Sequence, residues 1–223
     1  MPWVTFDLFS ALVDARTGGS AALAELAAGH GWPISGTELY DDWDARNKAS
    51  QRDEPTWVPF AEHCRRALAA AYATRGLEAD PAADTAVLLA TLPDWPLWPD
   101  VETALAEVAR THRVGVLSNV DDDLFARTRV APLVEPGAVL TSERLHAYKP
   151  HPELYRRAVA AGVALHVPAS ARDTRGALEA GLAVVRVRRP GHALDPDGPR
   201  PAHEVDDLGA LPALLREVSG AGT

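Results

Sequence analysis

Trp3-Val4-Thr5-Phe6-Asp7 is the first apolar run of the chain, and it ends at a carboxylate. A short, continuous apolar run that contains β-branched residues is typical of a strand buried on both faces. The same pattern recurs in four later runs, which are residues 113–117, 138–140, 164–167 and 183–187. Helical patterns separate these runs. The sequence therefore predicts an α/β fold built on a parallel sheet that helices cover on both faces.

Apolar residues at helical spacing predict the helices of this core. The predicted helices are residues 101–110, 123–128, 152–161, 174–180 and 208–218. The segment 189–203 is rich in Pro and Gly, which favours a surface loop. Three arginines, Arg186, Arg188 and Arg189, lie at the end of the last predicted strand. Their sequence position leaves open whether they face an anionic substrate or solvent.

About a hundred residues separate the first two predicted strands, which is far more than one crossover helix needs. Helical patterns fill this segment at residues 21–28, 36–50, 57–72 and 81–92. The proline-dense stretch 93–99 then returns the chain to the core. We therefore predict a helical insert of residues 15–93 over a core formed by residues 1–14 and 94–223.

The composition limits the classes of function. With 22 Lys and Arg against 31 Asp and Glu, the net charge of −9 argues against a nucleic-acid or anionic-membrane surface, although local cations can still bind a small anion. The single cysteine, Cys64, excludes an internal disulfide and a multi-thiolate metal site. The chain shows neither a secretory pattern at its N-terminus nor a stretch of about 18 apolar residues. We therefore expect a cytoplasmic protein.

Polar side chains follow the predicted strands at the points where the strands end. In open parallel sheets, ligands bind beyond these carboxyl ends. The candidate site residues are Asp7, Ser118, Asn119, Lys149, Ser170 and Asp173. Two carboxylates, a lysine, hydroxyls and an amide at one rim would make a nucleophilic site. Taken singly, each residue also fits an ordinary structural role such as a turn or a helix cap.

Four segments of the chain carry a resemblance to a known family. They are Phe6-Asp7-Leu8-Phe9-Ser10-Ala11-Leu12-Val13-Asp14, Val116-Leu117-Ser118-Asn119, Tyr148-Lys149-Pro150-His151-Pro152-Glu153-Leu154-Tyr155 and Asp173-Thr174-Arg175-Gly176-Ala177-Leu178-Glu179-Ala180-Gly181. Their order and spacing, with helices inserted after the first segment, resemble the four motifs of the haloacid dehalogenase (HAD) superfamily over nearly the whole chain. The resemblance implies a Rossmann-like core with an inserted α-helical cap.

The resemblance also implies a catalytic role for each matched residue. Asp7 would be a nucleophile that forms an aspartyl ester, which divides a difficult hydrolysis into two easier steps. Lys149 would keep Asp7 ionised and offset developing negative charge. Ser118 and Asn119 would donate hydrogen bonds to the leaving group or the substrate. Asp173 would orient Lys149, a water or a metal.

The residue at position 9 indicates which branch of the superfamily the chain resembles. The phosphatases of the superfamily usually carry a second Asp two residues after the nucleophile, where it protonates the leaving alcohol, but Phe9 occupies that position here. Halide is a good leaving group and needs no general acid. The chain therefore resembles the 2-haloacid dehalogenase branch, which implies a small 2-halo carboxylic acid as substrate and requires no metal or other cofactor. Relatives in that branch are often dimers, so a homodimer stays open.

The cap matches that branch less well. True dehalogenases carry a Trp-Arg pair in the cap, whose guanidinium helps hold the departing halide, whereas Trp43 is followed here by Asp44. Arg46 lies one helical turn from Trp43, and residues three apart share a helix face. We therefore expect Phe9, Trp43 and Arg46 to contribute to the substrate pocket.

Departures in the core motifs keep two alternatives open. Ser10-Ala11 stands in place of the usual Gly-Thr, and Pro168 and Ser170 replace a serine and an asparagine. These changes are compatible with a catalytically degenerate binding protein. The other alternative is a magnesium-dependent phosphatase, in which Asp7 and Asp173 would supply carboxylate oxygens to Mg²⁺.

Overall fold

The computed structural model describes residues 1–54 and 56–220, and its centre is a six-stranded parallel sheet. The strands are β1 Trp3–Phe6, β2 Arg113–Ser118, β3 Val139–Thr141, β4 Val163–Val167, β5 Ala183–Val187 and β6 His203–Val205. Their order across the sheet is β3-β2-β1-β4-β5-β6, and all neighbouring pairs run parallel. The predicted parallel α/β sheet is confirmed. β1, which is followed by Asp7, lies in its interior.

Four helices lie between β1 and the proline-dense stretch 93–99: α1 Ala15–His30, α2 Gly36–Asp53, α3 Phe60–Arg75 and α4 Pro81–Ala90. Local signals set their ends. Ser35 and Glu38 form a capping box at the start of α2. Gly31 and Gly76 adopt the left-handed conformation that ends α1 and α3. These helices form the inserted helical cap expected from the sequence.

The helices of the core are α5 Val101–Val108, α6 Asp122–Ala126, α7 Ser142–Leu145, α8 Pro152–Ala160, α9 Ala171–Glu179 and α10 Leu211–Gly220. Successive strand residues contribute to two separate apolar clusters, Val4 and Phe6 to one and Trp3 to the other. Since side chains alternate across a strand, the clusters lie on opposite faces of the sheet. The larger cluster continues into the cap. Within residues 1–54 and 56–220, no helix has the length and apolarity that a membrane crossing requires.

Apolar patterning does not predict β6, which follows the Pro- and Gly-rich segment 189–202. The strand has three residues, and two of them, His203 and Glu204, are exposed. It pairs with β5 through the backbone at the edge of the sheet. A short polar edge strand leaves no apolar run for a sequence pattern to detect.

Arg186, within β5, and Arg189, just after it, have structural roles. Arg186 is buried, donates to the carbonyl of Ala169 and pairs with Glu204. Arg189 is also buried, donates to the carbonyl of Ala11 and pairs with Asp100 at 2.9 Å. For these two residues both sequence alternatives, substrate and solvent, are wrong. Arg189 instead fixes the backbone just after the candidate nucleophile.

The cap is attached to the core by backbone and side-chain contacts. Val13 and Leu97, on the two connections between cap and core, form an antiparallel bridge. Asp121, which follows β2, accepts hydrogen bonds from the backbone N–H groups of Phe60 and Ala61 at 2.7 and 3.0 Å. A core carboxylate therefore caps the first turn of cap helix α3. Burial raises the pKa of this Asp121 carboxyl.

Gly115 provides a test of the sheet packing. A Cβ added there would lie 2.2 Å from the carbonyl oxygen of Ala138 and 2.4 Å from Nε1 of Trp3. We expect Gly115→Ala to lower the free energy of unfolding by about 1–3 kcal/mol through overpacking. The matched control is Gly29→Ala, where a Cβ meets nothing within 4 Å on an exposed part of α1. That change should stabilise by about 0.5–1 kcal/mol. Urea unfolding measures both, and equal effects would contradict this packing.

Candidate active site

The candidate residues from four parts of the chain border one cavity of about 300 Å³ between the sheet and the cap. Asp7 follows β1, Ser118 ends β2, and Asn119 comes directly after it. Lys149 precedes α8, and Asp173 lies in the first turn of α9, after β4. Since the strands are parallel, their carboxyl ends bring these residues to one rim.

Asp7 is held at both carboxylate oxygens. Oδ1 accepts a hydrogen bond from Nζ of Lys149 at 2.9 Å. Oδ2 accepts from the backbone N–H of Ser10 at 2.9 Å and from the Ser10 hydroxyl. Residues 8–12 form a single π-helical turn, which brings the Ser10 donors back to Asp7. Ser10, which departs from the family pattern, therefore supplies a hydroxyl that orients the candidate nucleophile.

Lys149 lies between two carboxylates. Its ammonium binds Asp7 and also Oδ2 of Asp173 at 2.6 Å, and its side chain is only 3% exposed. Burial by itself would raise the pKa of Asp173, but the Lys149 ammonium and His166 act against burial. The pKa of Asp173 consequently lies well below its usual range. Asp173 is therefore anionic at neutral pH and fixes the lysine beside Asp7.

Two buried residues that sequence reasoning did not single out complete this cluster. Nε2 of His166 lies 3.1 Å from Oδ2 of Asp173 and 3.4 Å from Nζ of Lys149, and its Nδ1 lies 3.0 Å from the Thr5 hydroxyl. Tyr155 donates to Oδ1 of Asp173 at 2.8 Å. A histidine inside an otherwise apolar strand was the available signal for His166. Tyr155 lies in the third motif segment.

Asn119 and Ser118 take different roles. The Asn119 amide donates to Oε1 of Gln51 at 2.8 Å and to the Lys149 carbonyl at 3.1 Å, and it accepts from the Lys149 backbone N–H at 2.8 Å. It therefore positions Lys149 and also lines the cavity, and its donation to substrate stays a prediction. Ser118 differs, since its hydroxyl is fully buried, lines the cavity and has no hydrogen-bond partner among the described residues.

The cap and the loop after β4 supply the remaining walls. Phe9 and Trp43 line the cavity, as does Ser170. Phe9 stacks on Phe60 with ring centroids 5.7 Å apart. The Trp43 indole donates to the Cys64 carbonyl at 3.1 Å, which fixes its ring.

The prediction that Arg46 contributes to the substrate pocket is wrong. Arg46 does not line the cavity, because its guanidinium binds Asp42 at 2.6 Å and the Thr74 hydroxyl at 3.1 Å, on the α3-facing side of α2. Asp44 does line the cavity, where it pairs with Lys48 at 2.5 Å.

Arg172 lines the cavity in a way that the sequence did not reveal. It lies in the first turn of α9, beside Asp173, and its guanidinium donates to the carbonyls of Lys48 and Lys149 and to Oε1 of Gln51. It thus joins the core to cap helix α2. Its position next to a motif residue was the only sequence signal.

The donor set does not fit a divalent cation. In the described part of the chain, no group of three or more His, Cys, Asp or Glu residues could hold a metal ion. Asp7 and Asp173, the carboxylates expected to bind Mg²⁺ in a phosphatase, both bind the Lys149 ammonium instead. A cation at the same oxygens would have to displace that ammonium.

Comparisons with known proteins identify the fold. No family model and no curated protein matches the chain. Among solved structures, L-2-haloacid dehalogenase from Xanthobacter autotrophicus is similar with a TM-score of 0.82 at 22% identity, covering 97% of this chain and 98% of that one. A defluorinating L-2-haloacid dehalogenase gives 0.81 at 24% identity, covering 97% and 95%.

A third solved structure extends this likeness beyond the dehalogenases. A protein assigned to the HAD-hydrolases, YfnB from Bacillus subtilis bound to magnesium, gives a TM-score of 0.79 at 18% identity, covering 96% of this chain and 98% of that one. The chain therefore has the fold of these proteins over 96–97% of its length.

The Asp173 cluster predicts how stability depends on pH. Because the folded pKa of Asp173 is depressed, its contribution is present above the unfolded value of about 4 and is lost as pH falls below it. Asp173→Asn should lower the free energy of unfolding by about 3–5 kcal/mol at pH 7, because it leaves the Lys149 charge incompletely paired. The difference from the parent protein should begin to shrink below about pH 5 and should continue to shrink as the pH is lowered further in urea unfolding. Asp94→Asn, at an exposed carboxylate, is the control, and a pH-independent difference for Asp173→Asn would contradict the prediction.

Proposed function

We propose that this chain, which has the fold of the L-2-haloacid dehalogenases, is a hydrolase that forms an ester on Asp7 and releases halide from a 2-halo carboxylic acid. The observation that carries the proposal is the Asp7 carboxylate itself. It is bound by Lys149 and Ser10 at its two oxygens and lines the cavity under the cap. An oriented carboxylate, largely removed from water, is a competent nucleophile for displacement at carbon.

In the first step, an oxygen of Asp7 forms a bond to C2 of the acid. The bond from C2 to the halogen breaks, and its electron pair leaves with the halide. No proton needs to be delivered, because halide is a weak base. The apolar ring of Phe9, where a phosphatase would carry an acid, is compatible with this step. The Ser118 hydroxyl is available to donate to the bound substrate.

In the second step, water adds to the carbonyl carbon of the Asp7 ester. The ester C–O bond then breaks, which releases a 2-hydroxy acid and restores the Asp7 carboxylate. The Lys149 ammonium, 2.9 Å from Asp7, stabilises the negative charge that develops on the ester oxygen. Asp173 binds the same ammonium and lines the cavity, so it is placed to orient the water. One proton of the water passes to the departing alkoxide, which gives the 2-hydroxy acid, and the other passes to solvent.

A parallel assay tests the proposal. Purified protein is tested for halide release from 2-chloro and 2-bromo acids, and for phosphate release from an aryl phosphate, each with and without Mg²⁺, with Asp7→Asn as the blank. We expect metal-independent halide release that is lost in Asp7→Asn. A single turnover in ¹⁸O-labelled water should also place the label in the Asp7 peptide, because the water attacks the ester carbonyl. Magnesium-dependent phosphate release would instead favour the phosphatase alternative, and inactivity in every assay would favour a binding protein.

Ser118 and Ser142 make a matched pair for a second prediction. Ser118→Ala removes a hydroxyl that has no protein partner among the described residues, so stability should stay nearly unchanged. The rate of halide release should fall by about 10- to 100-fold, which corresponds to the loss of one hydrogen bond to a charged group. Ser142→Ala removes hydrogen bonds to the backbone of Val120 and should cost about 0.5–1.5 kcal/mol of stability with little loss of activity. The opposite assignment of effects would contradict the role of Ser118.

A further inference from the structure

Arg172 is a cavity cation without a carboxylate partner. In residues 1–54 and 56–220, no carboxylate oxygen lies within the 4.0 Å of a salt bridge to its guanidinium, although Asp173 is its neighbour in the chain. The other cations that line the cavity are all paired: Lys149 with Asp7 and Asp173, Arg16 with Asp41, and Lys48 with Asp44.

The environment of Arg172 makes an anionic partner favourable. Its side chain is partly buried, and burial lowers the pKa of the group because the charged form loses its hydration. An arginine nevertheless stays protonated in proteins. The hydrogen bonds of this cation all go to carbonyl oxygens, and the carboxylates of Asp173, Asp44 and Asp7 act on it only from beyond salt-bridge distance, so an incoming anion in direct contact would improve its pairing.

The guanidinium also retains hydrogen-bonding capacity. Of its five N–H donors, three bind the Lys48 carbonyl, the Lys149 carbonyl and the Gln51 side chain. The two that remain have no partner among the described residues. Both hydrogens of Nη2 are engaged, so an incoming carboxylate would accept from the free Nε or Nη1 hydrogen with one oxygen, in a charge-assisted hydrogen bond.

Another wall of the same cavity is apolar and aromatic. Its residues are Phe9, Phe60, Leu89, Leu92, Trp95 and Trp98. Phe9 contacts Phe60 face to face and Trp95 edge to face, with centroids 5.7 and 6.0 Å apart. The cavity of about 300 Å³ has the volume of about ten liquid waters at roughly 30 Å³ each. This space exceeds what the two or three carbons of the simplest 2-halo acids would fill.

We propose that Arg172 binds the carboxylate of the substrate and that the substituent on C2 is an aromatic or similarly large apolar group, which packs against the wall around Phe9. This inference rests on the proposed function and specifies its substrate class. A carboxylate suits Arg172 better than the halide does, since it stays anionic in substrate, ester and product and so keeps this cation paired throughout. The core thus supplies the substrate-binding guanidinium that the sequence analysis assigned to Arg46 in the cap.

Binding of unreactive probes tests the inference without turnover. Phenylacetate, phenylacetamide and acetate have no leaving group, and their binding is measured by calorimetry on the parent protein, Arg172→Gln, Arg172→Lys and Arg46→Gln. We expect the parent protein to bind phenylacetate at least about tenfold more tightly than either other probe. Arg172→Gln should lose about tenfold or more for phenylacetate and little for phenylacetamide. Arg172→Lys should retain part of the affinity, and Arg46→Gln should bind like the parent protein.

Several outcomes would overturn the inference. If Arg172→Gln binds phenylacetate as tightly as the parent protein, Arg172 does not bind the carboxylate. If Arg172→Gln loses the same affinity for phenylacetate and for phenylacetamide, Arg172 only holds the cap in place. If the parent protein binds acetate as tightly as phenylacetate, or does not bind phenylacetate at all, the apolar wall is not a subsite for the C2 substituent. If Arg172→Gln does not fold, Arg172→Lys carries the comparison. Because no probe can react, absence of halide release together with the expected binding pattern would count against the proposed function alone.

Discussion

The Lys149 ammonium, buried between the carboxylates of Asp7 and Asp173, is the constraint on which the rest of the site depends. Charges removed from water must be paired and hydrogen-bonded, or the desolvation cost is not recovered. The pairing of the Lys149 ammonium with both carboxylates holds the end of β1, the segment before α8 and the first turn of α9 next to one another. His166 and Tyr155 then satisfy the remaining sides of Asp173. The arrangement that keeps these charges inside the fold also orients the nucleophile that we propose.

The cap is coupled to this cluster through the backbone of Lys149. Asn119 and Arg172 both bind the Lys149 carbonyl, and both also bind Gln51 on cap helix α2. Movement of the cap would therefore loosen the support of the lysine as well as admit water. The Lys149 ammonium is consequently placed correctly only when the cap is closed. This coupling suits the proposed reaction, in which water must enter only after the ester forms.

Much of the fold could be predicted from the chain because its signals are local. The apolar runs that become β1, β2 and β5 are continuous, and their boundaries follow from composition within a few residues. β6 could not be predicted, since it is short and polar and exists only because β5 offers it an unpaired edge. The same limit applies to Asp121, which lies directly before α6. Its carboxylate instead caps α3, which is about sixty residues away in sequence.

The sequence by itself determined which residue types stand at the ends of the strands, and so identified Asp7, Lys149 and Asp173 as members of one site. Only the tertiary structure decided which guanidinium enters the cavity. Helical spacing places Arg46 within a turn of Trp43, but it does not fix how α2 is rotated against its neighbours. The packing of α2 turns Arg46 toward Asp42 and Thr74, while the first turn of α9 directs Arg172 inward. A periodic pattern specifies a face of a helix, and the contacts between elements decide what that face meets.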